Sequence, residues 1–272
     1  MDTKKEVRHL EKWIKDYVHG AGKTGVVIGL SGGIDSAVSF ELAIRALGKE
    51  NVHAISIPIL ANTEEEYGNS TDMWHYAYES RGVDHQTIHA SGMYMDFQSA
   101  IRPSAMHSNG NGKMNQMTLA NIQARIRMTV LYGVASELDY LVIGTGNKTE
   151  HAIGYFTKWG DGAVDFEPLG DYYKDEVYEL ARELGVPKSI INKPPSAGLW
   201  EGQTDEDEIG LTYVELDAFL RWYKKSLDVP SSEWKADCPI SYEKQNLIMS
   251  RIISSNHKKT LPPTYIREYQ ND

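Results

Sequence analysis

One junction limits what this chain can become. Gly25-Val26-Val27-Ile28-Gly29-Leu30 is a short, β-branched run that stops at Ser31-Gly32-Gly33, and residues 36–47 (SAVSFELAIRAL) follow at helical spacing up to a closing Gly48. A buried strand running into a glycine turn and then a helix begins a strand–helix–strand unit. The pattern recurs. Val52 to Ile57 ends at Pro58 and leads to a helical stretch over 64–80; Val83 to His89 reads as a weaker strand; Tyr140 to Ile143 is a strong one that ends at Gly144-Thr145-Gly146. Strands separated by helical stretches predict an α/β fold, a doubly wound, Rossmann-like parallel sheet with helices on both faces. Ligands in such sheets sit beyond the carboxyl ends of the strands, and here those ends carry the two most polar, glycine-containing loops.

The remaining segments read around that sheet. Val7, Leu10, Ile14 and Val18 predict an amphipathic opening helix over 3–19, and Ile122, Ile126, Val130 and Val134 repeat every four residues in a long helix from Met117 to Glu137. Residues 107–116 form a polar loop, and 193–210 (KPPSAGLWEGQTDEDEIG) read as a mobile loop that orders over a ligand. Tyr213 to Trp222 and Ser241 to Asn256 are the last two helices. No Pro/Gly/Ser-rich linker divides residues 1–272, which predicts a single domain.

Composition removes several classes of function. No apolar run reaches the roughly 18 residues that a membrane span needs, and the first residues are too charged for a secretory signal, so a soluble cytoplasmic protein without membrane contact is expected. A formal charge of -10 argues against broad nucleic-acid binding, which relies on a basic surface. Cys238 is the only cysteine, which excludes an internal disulfide framework and any CxxC pair.

The octapeptide Gly29-Leu30-Ser31-Gly32-Gly33-Ile34-Asp35-Ser36 carries the sharpest chemistry. Small residues between strand and helix let backbone N–H groups converge on a phosphate, and the helix N-terminus adds partial positive charge. A Walker A ending is missing, so γ-phosphate transfer of that type is not expected. Asp35 would repel phosphate unless a divalent cation lies between them, which assigns it to Mg²⁺. The plainer reading, a tight turn that needs two glycines, stands beside this one until the flanking serines and aspartate are counted.

This loop resembles the pyrophosphate loop of the N-type ATP pyrophosphatases, which cleave ATP between the α- and β-phosphates and adenylate a substrate oxygen. Six further blocks resemble signatures of the NAD synthetase family in order and spacing. They are Asn121 to Met128, Gly144 to Glu150, Gly154 to Gly162 on through Asp165 to Leu169, Pro195 to Leu199, Gln203 to Glu206, and His257-Lys258. The resemblance implies Asp35 and Glu150 as magnesium ligands, Thr145, Lys174 and Ser196 as ATP contacts with Lys174 and Ser196 catalytic, and Arg125, Lys158, Asp165, His257 and Lys258 as deamido-NAD contacts. Arg125 and Arg127 are two apart on a helix and cannot share a face, so Arg127 is left as a surface or helix-pairing ion partner. Without the resemblance Lys174 would be one more helix-surface lysine. Tyr155, Phe156 and Trp159 are candidates to stack on nicotinate, although aromatics at this spacing are more often core. Gly146-Asn147-Lys148-Thr149 stands where many bacterial members have Asp-His-Ala-Ala, and Lys259 stands in place of an arginine.

The implied reaction amidates the nicotinate carboxylate of deamido-NAD. ATP first converts it to an acyl adenylate, pyrophosphate leaves, and ammonia then displaces AMP. Glutamine-using relatives carry a separate glutaminase domain, whereas the resemblance here takes up the whole length, so free ammonia is the expected donor. A homodimer is implied, with the helix from Met117 to Glu137 contributing. Two rivals remain: another N-type pyrophosphatase acting on tRNA or xanthylate, and a nucleotide-binding module that has lost catalysis. Retention of Asp35, Glu150 and Lys174 argues against the second.

Overall fold

A computed structural model describes residues 1–59, 68, 71–101, 114–196, 202–228 and 237–266. The opening helix α1 (Thr3–Gly20) starts at Asp2, whose side chain accepts from the Lys5 N–H, and it buries Val7, Leu10, Ile14 and Val18 as their spacing predicts. Strand β1 (Val26–Gly29) follows, then α2 (Ile34–Leu47), β2 (Val52–Ser56), a π-helical turn (His75–Ser80), β3 (His85–Thr87) and α3 (Ser91–Ala100). The long α4 (Gln116–Leu138) is capped by Asn115 and leads to β4 (Leu141–Val142). Helices α5 (Lys148–Ile153), α6 (Lys174–Leu184), α7 (Lys188–Ile191), α8 (Asp205–Ile209), α9 (Tyr213–Asp228) and α10 (Tyr242–Ser254) complete the described chain.

The strands pair in the order β3-β2-β1-β4, and every pairing is parallel. Winding therefore proceeds outward from β1 through β2 to β3, and β4 then adds on the other side of β1. The crevice between β1 and β4 is the topological switch point at which such sheets bind ligands. Ile143 extends this edge by a parallel bridge to Phe166.

Alternation along the strands builds two cores. Val26 and Ile28 pack with α1, α2 and α6, while Val27 and Ile55 face Tyr94 of α3 and Ile122 and Ile126 of α4. Each fully buried Val or Ile contributes roughly 1.5–3 kcal/mol, so helices on both faces are what hold the sheet. A third cluster joins Ile153, Ile209, Leu216, Phe219 and Ile248, clamping α5, α8, α9 and α10 together. At Gly25 the close approach is severe: a Cβ would lie 2.4 Å from the Tyr140 ring and 2.5 Å from the Asn51 carbonyl oxygen.

Several expectations are corrected. The strand expected over 83–89 shrinks to three residues, and 75–80 widen into a π-helical turn. The segment 193–210 is not wholly a loop, because Thr204 caps α8 by accepting from the Asp207 N–H; residues 197–201 lie outside the described residues, as do most of 64–70 and 107–113. No helix among the described residues is long and apolar enough to cross a membrane.

Candidate active site

The loop after β1 turns at Gly32, whose φ of 86° is the left-handed region glycine adopts without cost, and Gly33 caps α2. Leu30 makes a last sheet bond to the Ile55 carbonyl. Ser31 Oγ accepts from the Gly33 N–H at 3.3 Å, Ser36 Oγ donates to the Gly33 carbonyl at 2.9 Å, and the two hydroxyls lie 3.3 Å apart. The small residues thus draw two hydroxyls and the start of a 14-residue helix to one spot.

Asp35, in the first turn of α2, faces the loop that follows β4. Asn147, fully buried, joins the two: its Nδ2 donates to Asp35 Oδ1 at 2.9 Å, and its Oδ1 accepts from the Glu150 N–H at 3.0 Å. Glu150 Oε2 in turn accepts from the Asn147 N–H at 3.1 Å, which closes a capping box on α5. Lys174 completes the group. Its Nζ lies 2.6 Å from Asp35 Oδ2 and 3.4 Å from Glu150 Oε1, with only 2% of the side chain exposed. All four oxygens of the two carboxylates therefore face protein donors.

Lys174 is not a surface lysine. It opens α6, whose start is fixed from outside: the Lys174 N–H donates to Thr149 Oγ1 at 3.1 Å, and the Asp175 N–H donates to Asp217 Oδ2 at 3.1 Å, with Asp217 also accepting from Thr149. Asp205 stands behind, accepting from Tyr213 at 2.9 Å and from Tyr155 at 3.1 Å. Three largely buried carboxylates against one ammonium leave two negative charges uncompensated. Burial pushes the Glu150 carboxyl up to about 7, and Asp35 and Asp205 add to the rise against the pull of Lys174. Burial also works against the Lys174 ammonium, but Asp35 and Glu150 outweigh it and hold its pKa above the ordinary lysine value. That surplus charge and the all-oxygen donor set fit a divalent hard cation. Among the described residues no cluster of three metal-ligating side chains forms, so two carboxylates with phosphate and water oxygens would make up the shell, the arrangement Mg²⁺ favours.

Beside Glu150 lies a cavity of about 50 Å³, lined by Thr145, Glu150, His151, Phe156, Asp161 and Glu167. His151 Nε2 and Glu167 Oε2 are 2.9 Å apart, an ion-pair distance without an aligned hydrogen bond. The pairing lifts the imidazole pKa in spite of its burial.

The second set of expected residues is largely brought together. Arg125 Nη2 donates to the Lys158 carbonyl at 3.2 Å, Lys158 Nζ donates to the His257 carbonyl at 2.6 Å, and Lys258 Nζ donates to the Gly154 and Phe156 carbonyls at 2.9 Å each. Asp165 has a different setting: its carboxylate accepts from the Val142 N–H at 2.7 Å and from Tyr132 at 3.2 Å. Ser196 follows Pro195, whose carbonyl accepts from the Asp205 N–H. Lys259 donates to the Ala152 carbonyl at 2.6 Å, a backbone tie. Arg127 is half-buried and donates to the Ile57 carbonyl at 3.2 Å beyond the end of β2. Of the three aromatics, Tyr155 is tied by its hydroxyl to Asp205 and Glu208, Phe156 packs beside His151, and Trp159 is exposed.

Five contributors have no role assigned from the sequence. Asn147 and Tyr213 touch the carboxylate pair, and Asp205 orients Tyr213. Tyr17 donates to the Asp165 carbonyl at 2.9 Å and, with Trp13, leaves an exposed aromatic face there. Asn147 and Asp205 lie inside the family-like blocks 144–150 and 203–206, and Trp13 and Tyr17 are two aromatics four residues apart on the outer face of α1.

A family model described as NAD synthase matches residues 6–262. The chain belongs to the NAD synthase family. Its curated relatives include proteins named NH(3)-dependent NAD(+) synthetase from Methanosarcina acetivorans, 40% identical over 97% of this chain and 98% of the relative, and from Archaeoglobus fulgidus, 41% identical over 97% of each. Among solved structures, an NMN synthetase from Francisella tularensis is 35% identical, with a TM-score of 0.82 over 97% of this chain and 99% of that one. An NH3-dependent NAD synthetase from Campylobacter jejuni, in complex with nitrate, is 27% identical, with a TM-score of 0.77 over 98% of this chain and all of that one. NAD synthase family membership thus rests on the whole fold as well as on the loops at the switch point.

Proposed function

We infer that this chain makes NAD from deamido-NAD and ammonia, with ATP cleaved to AMP and pyrophosphate through a nicotinate acyl-adenylate. One observation carries the reading: Asp35 and Glu150 converge at the β1/β4 switch point with Lys174 buried between them. The residues from Gly29 to Ser36 and Thr145 would hold the phosphates of ATP, and Ser196 would join them from the segment tethered to Asp205. Lys174 would move from the carboxylates to the phosphates and meet the charge that develops on departing pyrophosphate. Asp35 and Glu150 would hold Mg²⁺, which when bound draws charge from the phosphate oxygens. Arg125, Lys158, Asp165, His257 and Lys258 would orient the dinucleotide, with Tyr17 and Trp13 offering a stacking face. No protein nucleophile is needed. The small acidic cavity beside Glu150 has room for one ammonia.

A second reading has one observation in its favour: the similar structure from Francisella tularensis is that of an NMN synthetase. In that reading the acceptor is nicotinate mononucleotide. Purified protein incubated with ATP, Mg²⁺, ammonium and either acceptor decides between them. Equal yields of AMP and NAD from deamido-NAD are expected; a clear preference for the mononucleotide would move the assignment, and no AMP with either acceptor would end both readings. The homodimer and the cytoplasmic setting belong to the same inference, and α4 supports the former because Met117 and Leu138 at its ends stay exposed on one chain. Sedimentation at micromolar concentration should show a dimer.

A further inference from the structure

Tyr213 has an unusual combination of contacts for a core aromatic. It is 5% exposed and packs in the cluster with Ile209 and Leu216, yet its hydroxyl lies 2.9 Å from Asp205 Oδ2 and 3.4 Å from Glu150 Oε1. Its backbone N–H donates to Glu206 Oε1 at 2.9 Å. Hydroxyl and main chain are thus both clamped by acidic residues of α8, which fixes the plane of the ring. The Lys174 ammonium lies 4.7 Å from the ring centroid. A hydroxyl has one proton, and the shorter contact shows where it goes: to Asp205, which leaves Glu150 free to turn away from Tyr213.

A packing role does not call for any of this. Phenylalanine would fill nearly the same space without burying a hydroxyl that needs a partner. Lys174 does call for it. To serve ATP the lysine must exchange Asp35 and Glu150 for phosphate oxygens, and midway it would be a desolvated cation with no partner. The face of a fixed aromatic ring attracts the ammonium throughout, because its quadrupole does not depend on which anion the nitrogen touches.

We propose that Tyr213, clamped by Asp205, is a positioning residue for Lys174: its ring is the seat on which the ammonium passes from the metal-binding carboxylates to the phosphates of ATP. The seat rests on the nucleotide reading above, so its test contains a separate check of that reading. Calorimetric binding of Mg²⁺ with α,β-methylene-ATP to the wild type provides it, and ATP–pyrophosphate exchange in the presence of deamido-NAD then measures adenylation alone. Tyr213→Phe keeps the ring and should hold the exchange rate within about fivefold of wild type. Tyr213→Leu removes the quadrupole and should lower that rate by about 10- to 30-fold, the size of a desolvated cation–π contact. The KM for deamido-NAD should not change in either variant. Asp205→Asn loosens the clamp without touching the ring and should fall between them. Rates are taken per nucleotide-binding site from the calorimetric stoichiometry, so partial unfolding does not count as loss of rate. The proposal is overturned if Leu and Phe are equal, or if the loss follows the hydroxyl rather than the ring. Wild-type protein that binds no analogue would instead bring down the nucleotide reading, and the seat with it.

Discussion

Lys174→Met tests whether the lysine stands in for a metal. Methionine keeps the length and apolar stem of the side chain but removes the charge, leaving Asp35 and Glu150 facing each other in a site where the lysine itself is 2% exposed. Removing one partner of a buried ion pair costs about 3–5 kcal/mol, because the remaining charge is stranded. Glu150 already has its pKa pushed up to about 7, so without the ammonium it takes a proton near neutrality and the loss falls at the lower end. At roughly 2–4 °C per kcal/mol for a chain of nearly this size, ~3 kcal/mol lowers the melting temperature by about 6–12 °C. The variant also exposes the carboxylates to metal. Free Mg²⁺ or Mn²⁺ at a hundred times its dissociation constant returns about 2.7 kcal/mol, nearly all of the loss. Wild type, with all four carboxylate oxygens engaged by protein donors, should not respond to the metal until ATP is added. Thermal unfolding followed by circular dichroism, with and without metal and nucleotide, reads all of this, and the Lys174→Met/Glu150→Gln double variant should lose the metal response. A wild type stabilised by metal alone as much as the single variant, or a single variant indifferent to metal, would refute the reasoning.

Three further outcomes follow from the same contacts. Asp35→Asn and Glu150→Gln keep shape and should each lower pyrophosphate exchange by at least about a hundredfold (roughly 2.7 kcal/mol in the transition state) while raising the magnesium requirement; an unchanged magnesium dependence would count against the pair. Arg125→Ala should raise the KM for deamido-NAD about tenfold with little change in the KM for ATP, since one charge-assisted contact contributes about 1.5 kcal/mol, and equal effects on both would misplace the residue. His85, in β3, has its pKa lowered by burial and by nearby His53, with Asp84 opposing. The folded state therefore binds fewer protons than the unfolded state below pH ~6.5, and stability should fall as pH drops through that value by up to about 1.4 kcal/mol per unit. His85→Gln should flatten this slope in melts between pH 7 and pH 5, and an unaltered slope would point to another group.

The parts of the fold that were legible are those with a local cause. The apolar stripe of α1, the alternation of β1 and the cap of α10 at Ser241 are set by residues a few positions apart, and the sheet's winding follows from their order along the chain. Asp35 was legible too, because a carboxylate inside a phosphate-type loop is chemically out of place without a cation. The character of Lys174 was not: its burial is produced by Asp35, 139 positions away, and by Asp217, whose carboxylate caps α6 from α9. Nothing near Lys174 in sequence distinguishes it from a solvated lysine. Asn147 was passed over as a family variation, although its side chain meets Asp35 across 112 positions. Thr204 caps a helix inside a segment whose prolines, glycines and acids read as loop, since four acidic residues in a first turn suit a helix N-terminus as well as they suit water.

The two carboxylates proposed to hold magnesium lie in the first turns of the helices that follow β1 and β4, which are hydrogen-bonded neighbours. Their loops are therefore launched from points about 4.8 Å apart, the lattice spacing of any sheet. The sheet thus acts as a ruler for the proposed metal site, one that changes in loops far from the β1/β4 pair cannot stretch.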